Sequence, residues 1–127
     1  MLSRGLLSGH WSPKRELDAY DFRAMSPRFR GENLDHNLAL VDRLREVAAF
    51  NGATVAQVAI AWVLSRGQDV VPLVGARRRD RLHEALGALD VELGESDLAR
   101  IEDAVPVGAA AGGRYADFLM GELDSER

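Results

Sequence analysis

Apolar residues recur at helical spacing through the middle of the chain. Leu38, Val41, Leu44 or Arg45, and Ala48 lie three or four positions apart, which predicts a helix running to Phe50 with Asp35 as its N-terminal cap. Asn51-Gly52 supplies its stop. Thr54-Val55-Ala56-Gln57 then matches a capping box, in which a threonine and a glutamine three residues on satisfy each other's backbone donors. The helix it starts, to about Arg66, is apolar on nearly every face (Val58, Ala59, Ile60, Ala61, Trp62, Val63, Leu64), so it should be covered on more than one side, with Trp62 in the core. Gly67 ends it. Val70 to Val74 is a continuous β-branched apolar run with no alternation, the pattern of a parallel strand buried on both faces. Pro72 removes one ladder donor there and argues against a helix. A further helix is expected from about Arg78 to Leu89, with Leu82, Ala85, Leu86 and Leu89 on one face. A shorter one starts at Gly94-Glu95-Ser96-Asp97, with Leu98, Ile101 and Ala104 facing inward.

The flanks carry weaker patterns. Met1 to Gly9 is apolar and glycine-punctuated, and reads as a loop with two glycine turns. His10 to Asn33 has no sustained period, and Pro13, Pro27 and Gly31 mark a long loop that Phe22, Met25 and Phe29 could pin down; Tyr20 is a packing aromatic. After Pro106, Gly108 to Gly113 reads as a flexible tether. The tail from Arg114, with Tyr115, Phe118, Leu119 and Met120, either docks as a short helix or stays mobile. The inventory is therefore four helices and one convincing strand. One strand leaves both edges unpaired, and parallel strands need crossover partners. The sequence reads as a slice of an α/β structure whose other strands lie outside it.

Composition narrows the chemistry. A length of 127 residues fits one domain, and a net charge of −4 disfavours a broad nucleic-acid footprint. The absence of cysteine removes disulfides, thiolate metal sites and thiol nucleophiles, and is compatible with a reducing, cytoplasmic setting. No two histidines have ligand spacing, so no metal site is expected. No apolar run approaches the roughly 20 residues that span a membrane, and no secretory pattern opens the chain. Against this acidic background Arg77, Arg78, Arg79 and Arg81 crowd the start of a helix, just after the apolar run and Gly75-Ala76. Cations there oppose the helix dipole, and a strand, a tight turn and a helix N-terminus together form a phosphate-binding arrangement. An anion is expected among these arginines.

Several long segments resemble the aldo/keto reductase family, specifically its C-terminal part in a bacterial-type subgroup. Leu2-Ser3-Arg4-Gly5-Leu6-Leu7-Ser8-Gly9 is similar to the loop after the seventh barrel strand, usually P-L-G-R-G-x-L-T-G. Asp21-Phe22-Arg23 with Pro27-Arg28-Phe29-Arg30-Gly31-Glu32-Asn33 and Asn37 resembles D-F-R … P-R-F-x-G-E-N … N. Ala56 to Leu64 resembles A-Q-L-A-L-A-W-V-L, Val71 to Ala76 the eighth strand and its turn, and Arg114-Tyr115 a G-x-R-Y tail.

The resemblance implies part of a (β/α)8 barrel, a TIM barrel, that binds NADPH and reduces aldehydes or ketones. It divides residues 1–127 into a loop after strand seven (1–9), a long loop (10–33), helices with strand eight and the cofactor-phosphate corner (34–106), and a tail (107–127). It implies cofactor contacts at Leu2, Ser3, Arg4 and Gly5 for the nicotinamide and pyrophosphate, and at Gly75, Ala76, Arg77, Arg81 and Glu84 for the 2′-phosphate and adenine. Arg77 and Arg81, four apart, are expected on one helix face, with Arg78 and Arg79 pointing to solvent. The family usually has asparagine where this chain has Ala85, and glycine where it has Ser3. Its catalytic tyrosine, lysine, aspartate and histidine belong to the first half of the barrel. Lys14, the sole lysine, and Tyr20, Tyr115, His10, His36 and His83 match no catalytic motif, so no catalytic residue is assigned. The expectation is a truncated, C-terminal portion of an NADPH-dependent reductase. The alternative is a non-catalytic nucleotide-binding or interaction module that completes a barrel with a partner chain. Expected partners are NADP(H), a small carbonyl substrate if the barrel is complete, and a second copy through the unpaired strand edge, with neither nucleic acid nor membrane.

Overall fold

The computed structural model describes residues 2–12, 14–18 and 20–121. Its axis is α1 (Gly31–Phe50), a helix of 20 residues and so about 30 Å long. Leu40, Val41, Leu44, Val47 and Ala48 form its buried stripe. The helix starts earlier than the capping pattern suggested. Arg30, in extended conformation, holds the N-cap position, and Leu34 N–H bonds Arg30 C=O at 3.2 Å, which leaves Asp35 exposed inside the helix. The physical reason lies just upstream, where a 3-10 turn at Pro27–Phe29 delivers the chain directly into the helix.

α2 (Val55–Leu64) leaves α1 at 83° after a tight Asn51–Gly52 turn. Both halves of the Thr54–Gln57 capping box are made, with Gln57 N–H to Thr54 Oγ1 at 3.2 Å and Thr54 N–H to Gln57 Oε1 at 2.9 Å. Val55, Ala56, Val58, Ile60 and Ala61 are buried. Trp62 is half-buried and packs against the edge of the core. The helix ends at Leu64, short of Arg66, where an Arg66 N–H to Val63 C=O bond tightens the last turn. α4 (Glu95–Ala104) lies against α1 and contributes Ile101 and Ala104, as its spacing suggested. Leu6, Trp11 and Phe29 close the same core from the N-terminal side, with the Trp11 and Phe29 rings 4.9 Å apart.

Three expectations give way. No strand occurs among the described residues, so these residues form a helical assembly and the α/β class is not met within them. Val70 to Val74 pairs with nothing as a strand, and Val71 and Leu73 are 78% and 82% exposed. A lone parallel strand has no neighbour to supply its ladder, so the run stays irregular. The helix expected over 78–89 splits into α3 (Arg79–Leu86) and a 3-10 turn at Gly87–Asp90. Its apolar face (Leu82, Leu86, Leu89) is mostly exposed, because no described element covers it. Tyr20, expected to pack, is fully exposed.

A further correction concerns the segment after Pro106, which is fastened rather than flexible. Asn37 is buried inside α1, and its amide donates to Ala111 C=O (2.9 Å) and Arg28 C=O (3.1 Å) while accepting from Ala111 N–H (2.8 Å). His36 meets Ala109 C=O at 2.8 Å, and Arg28 Nε donates to Gly112 C=O at 3.2 Å. Gly112 has φ +81°, and a Cβ there would sit 2.9 Å from the Pro27 carbonyl carbon. The fastened segment leads into α5 (Asp117–Met120), one short turn of the tail that buries no residue and leaves Phe118 mostly exposed. Residues 122–127 of that tail lie outside the described part.

Candidate functional site

The first segment is a distorted 3-10 turn over Ser3–Ser8 rather than an open loop. Ser3, Arg4 and Gly5 all have positive φ (49°, 57° and 96°), and for the first two residues this is an unusual, strained conformation. The bend is stapled by Gly5 N–H to Leu2 C=O (2.9 Å), Leu7 N–H to Leu2 C=O (3.2 Å) and Ser8 Oγ–H to Gly5 C=O (2.6 Å), and anchored by buried Leu6. From outside, Arg23 Nη1 donates to Arg4 C=O at 3.3 Å. Arg23 is itself held by Asp21, through Nε to Oδ1 at 2.8 Å and through Nη2 to Oδ2. The side-chain bond with Arg23, joined by its backbone N–H, lowers the Asp21 carboxyl from 3.8 to about 2.

The second segment is the start of α3. Arg78 is extended at the N-cap, and its guanidinium folds onto Asp80 in the first turn, at 2.9 and 2.8 Å. The Arg78 hydrogen bond holds the Asp80 carboxyl below its usual value. An acid in the first turn also offsets part of the unfavourable placement of arginines at this helix end. One turn on, Arg81 Nη1 donates to Glu84 Oε2 at 3.0 Å. Burial pushes the Glu84 carboxyl up, but bonds with Arg81, Thr54 and His10 outweigh it and hold the group below its ordinary range.

The two segments, some seventy residues apart in sequence, line one cleft of about 860 Å³. Leu2, Arg4 and Gly5 face it from one side, and Gly75, Ala76, Arg77, Arg81 and Glu84 from the other. Ser3 alone of the nine sequence-derived residues lies elsewhere, lining an adjoining cleft with Arg4. Arg77 does reach the same cleft as Arg81, but not as its neighbour on a helix face. It precedes the N-cap and approaches from the incoming chain. Arg78, expected to point away, also lines the cleft.

Sequence reasoning passed over two further residues. Arg15 adds another guanidinium to the lining. His10 closes one end, with Nε2 3.3 Å from Glu84 Oε2 and in contact with Arg81 Nη1. No local pattern announces His10, because its partners lie more than seventy residues away. A cleft of this volume lies within the usual range for small-molecule sites. Several arginines make it suited to a multiply charged anion such as phosphate, which guanidinium forks bind with charge-assisted bonds. Among the described residues there is no group of three or more side chains able to hold a metal ion, and no single helix is long and apolar enough to cross a membrane.

A family model described as the aldo/keto reductase family matches residues 2–106, a stretch that contains every residue of this cleft. The chain belongs to the aldo/keto reductase family. It is 49% identical over 93 residues to probable aldo-keto reductase 1 of Glycine max, an alignment covering 73% of this chain and 27% of that protein. It is 35% identical over 114 residues to yakc of Schizosaccharomyces pombe, an aldo-keto reductase whose name carries NADP(+); here 90% of this chain and 34% of the relative are aligned. The chain thus spans between a quarter and about a third of the length of these aldo/keto reductases.

Proposed function

We propose that this chain forms the cofactor-holding C-terminal part of an NADPH-dependent aldo/keto reductase, which reduces aldehydes and ketones to alcohols within a (β/α)8 barrel. The observation that carries the reading is the cleft itself. Eight of the nine residues that the family resemblance marks for cofactor contact, drawn from two stretches some seventy residues apart, line one cavity together with Arg15 and Arg78. Arg77 and Arg81 are the groups best suited to a 2′-phosphate, since rigid guanidinium forks match phosphate oxygens. Glu84, kept ionised and joined to Arg81, is placed to accept hydrogen bonds from an adenine edge or ribose hydroxyl. Gly75 and Ala76 leave the backbone open to close approach. NADPH, when bound, supplies the hydride; this chain's residues hold its anionic end. In this reading proton donation falls to residues beyond this chain, and Val70 to Val74 becomes a strand once barrel neighbours pair with it.

Calorimetric titration of the 127-residue chain with NADPH and NADH tests this. Binding of NADPH is expected, and Arg77→Ala with Arg81→Ala should weaken it at least about tenfold, the scale of a lost hydrogen bond to a charged group. NADH should lose less than about threefold on the same scale. Equal losses for both cofactors would remove these arginines as the 2′-phosphate site, and no binding of either cofactor would remove the cofactor cleft.

A further inference from the structure

His10 closes one end of the arginine cleft, and the cofactor reading gives it no task. Gly9 has φ +71° and lies so close to α2 that a Cβ there would sit 3.4 Å from Val55 Cβ, and this bend brings His10 against α3. The His10 backbone N–H donates to Ser8 Oγ at 3.3 Å, and Arg45 of α1, itself bonded to Asp42, donates to Gly9 C=O at 3.5 Å. The His10 side chain is half exposed, while Glu84 is largely covered. One ring atom, Nε2, faces two groups of opposite kind. Arg81 Nη1 touches it, and Glu84 Oε2 lies 3.3 Å away. A guanidinium only donates, so the contact with Arg81 requires a bare, accepting Nε2 and a neutral ring with its proton on Nδ1. An ionised carboxylate only accepts, so the contact with Glu84 requires Nε2–H, which the charged ring always carries. One nitrogen cannot satisfy both. Around a neutral ring, Arg81 Nη1 is drawn to His10 and to Glu84 Oε2, the latter at 3.0 Å. Around a charged ring, His10 and Glu84 pair, and Arg81 faces a like charge.

We infer that His10 positions Arg81 for the cofactor in a proton-dependent way: the neutral ring keeps the guanidinium at the cleft end, and the protonated ring takes over Glu84 and releases Arg81 to the 2′-phosphate. The inference rests on the proposed cofactor reading and adds its regulation. Histidine suits the task because its charge changes between pH 5 and 8. The neighbours that face it set the background. Arg4, Arg15, Arg77 and Arg78 line the same cleft, Asp80 Oδ2 lies 3.9 Å from Arg81 Nε, and Arg45 with Asp42 stands on the α1 side. From α2's N-terminus comes the uncharged Thr54, which bonds Glu84. Guanidiniums stay charged throughout this range, and Asp80 and Glu84 are held below the ordinary carboxylate range. Protonation of the ring therefore exchanges the partner of Glu84 without removing any other charge from the cluster.

The test is a calorimetric titration of the 127-residue chain and of His10→Gln with NADPH and NADH, at about pH 8 and about pH 6.5, both within histidine's range. Glutamine can accept from Arg81 and donate to Glu84 but takes up no proton. A phosphate monoester gains its own proton near pH 6; this acts equally on both proteins, so the readout is the ratio of their affinities. For NADPH the ratio of parent to variant is expected to rise about threefold or more on acidification, the scale of an ordinary coupling between two sites. For NADH, which has no 2′-phosphate, it should stay level. A second readout uses the parent alone. In 1H–15N spectra of its imidazoles, the His10 ring should titrate at higher pH with NADPH bound, because the factor that a proton applies to NADPH is the factor that NADPH applies to the proton. A level NADPH ratio with an unmoved His10 titration would overturn the inference. An equal rise for NADH would make His10 a general cation with no call on Arg81, and a His10 titration displaced to lower pH would reverse the sign; each overturns it while the cofactor cleft stands. Failure of NADPH to bind at either pH would instead sink the cofactor reading.

Discussion

At the scale of single residues, Asn37 is the clearest case of one side chain deciding where a distant segment goes. Its amide satisfies one N–H and one C=O of Ala111 and one C=O of Arg28 from a buried position. Asn37→Leu keeps the volume and strands these groups. Each buried unsatisfied group costs about 1–3 kcal/mol, so a loss of about 2–4 kcal/mol is expected in urea unfolding, with faster hydrogen exchange at Ala111. Unchanged exchange there would mean the segment is fastened by something else. Asn37 belongs to a recognisable family pattern, yet its partner was not legible, because an amide that bonds 74 residues away leaves no local signature. Asp21 makes a different prediction. Its folded-state value, about 2, lies below the ordinary 3.8. The Asp21–Arg23 contribution is therefore complete above the unfolded value and is lost as pH falls through about 2. Asp21→Asn should flatten the fall in stability between those two values; parallel profiles for the parent and the variant would refute the assignment.

Elements formed where their signals were local. The Thr54–Gln57 box and the inward face of α4 were readable because the groups that satisfy them lie within one helical turn. Thr54→Ala should cost about 1 kcal/mol, the usual value of an N-cap. It should also raise the Glu84 carboxyl, because Thr54 is among the groups that hold it down and so links the start of α2 to the arginine cleft. A carboxyl titration of Glu84 in this variant that matches the parent would break the link. Elsewhere the sequence misled. The start of α1 was set by the 3-10 turn before it, a feature without a period. The Val70–Val74 run, Pro72 apart, carries the apolar, valine-rich composition of a strand, but a strand is a property of pairs, and no described segment offers the second half. The same limit moved Arg77 off the helix: where α3 begins depends on the extended backbone of Arg78, which a count of residues cannot reveal.

At the scale of the whole molecule, the core is covered, while Leu73, which also lines the cleft, and Leu82, Leu86 and Leu89 are exposed. Apolar surface of this kind drives association until something covers it. The 127-residue chain on its own should therefore sediment with a concentration-dependent mass. Leu73→Lys with Leu89→Lys should bring it toward 13.9 kDa. A monomer at all concentrations would show that the exposed leucines are tolerated. Eight of the residues that line the large cleft were legible from sequence, because its two halves each carry a pattern: a glycine-rich bend and an arginine cluster. That they face each other, with His10 across the end, was a matter of folding and not of pattern.

Arg4 stands between the two clefts. Its side chain is a wall of both clefts, and it is held by Ser26 and Tyr115 rather than free to serve either one alone. A ligand in one cleft that moves this guanidinium alters the other cleft at the same time. Linkage makes that effect symmetrical: whatever factor the first ligand applies to the second's affinity, the second applies to the first's. Order of binding then leaves the total free energy unchanged, and Arg4 is the residue through which each occupant would sense the other.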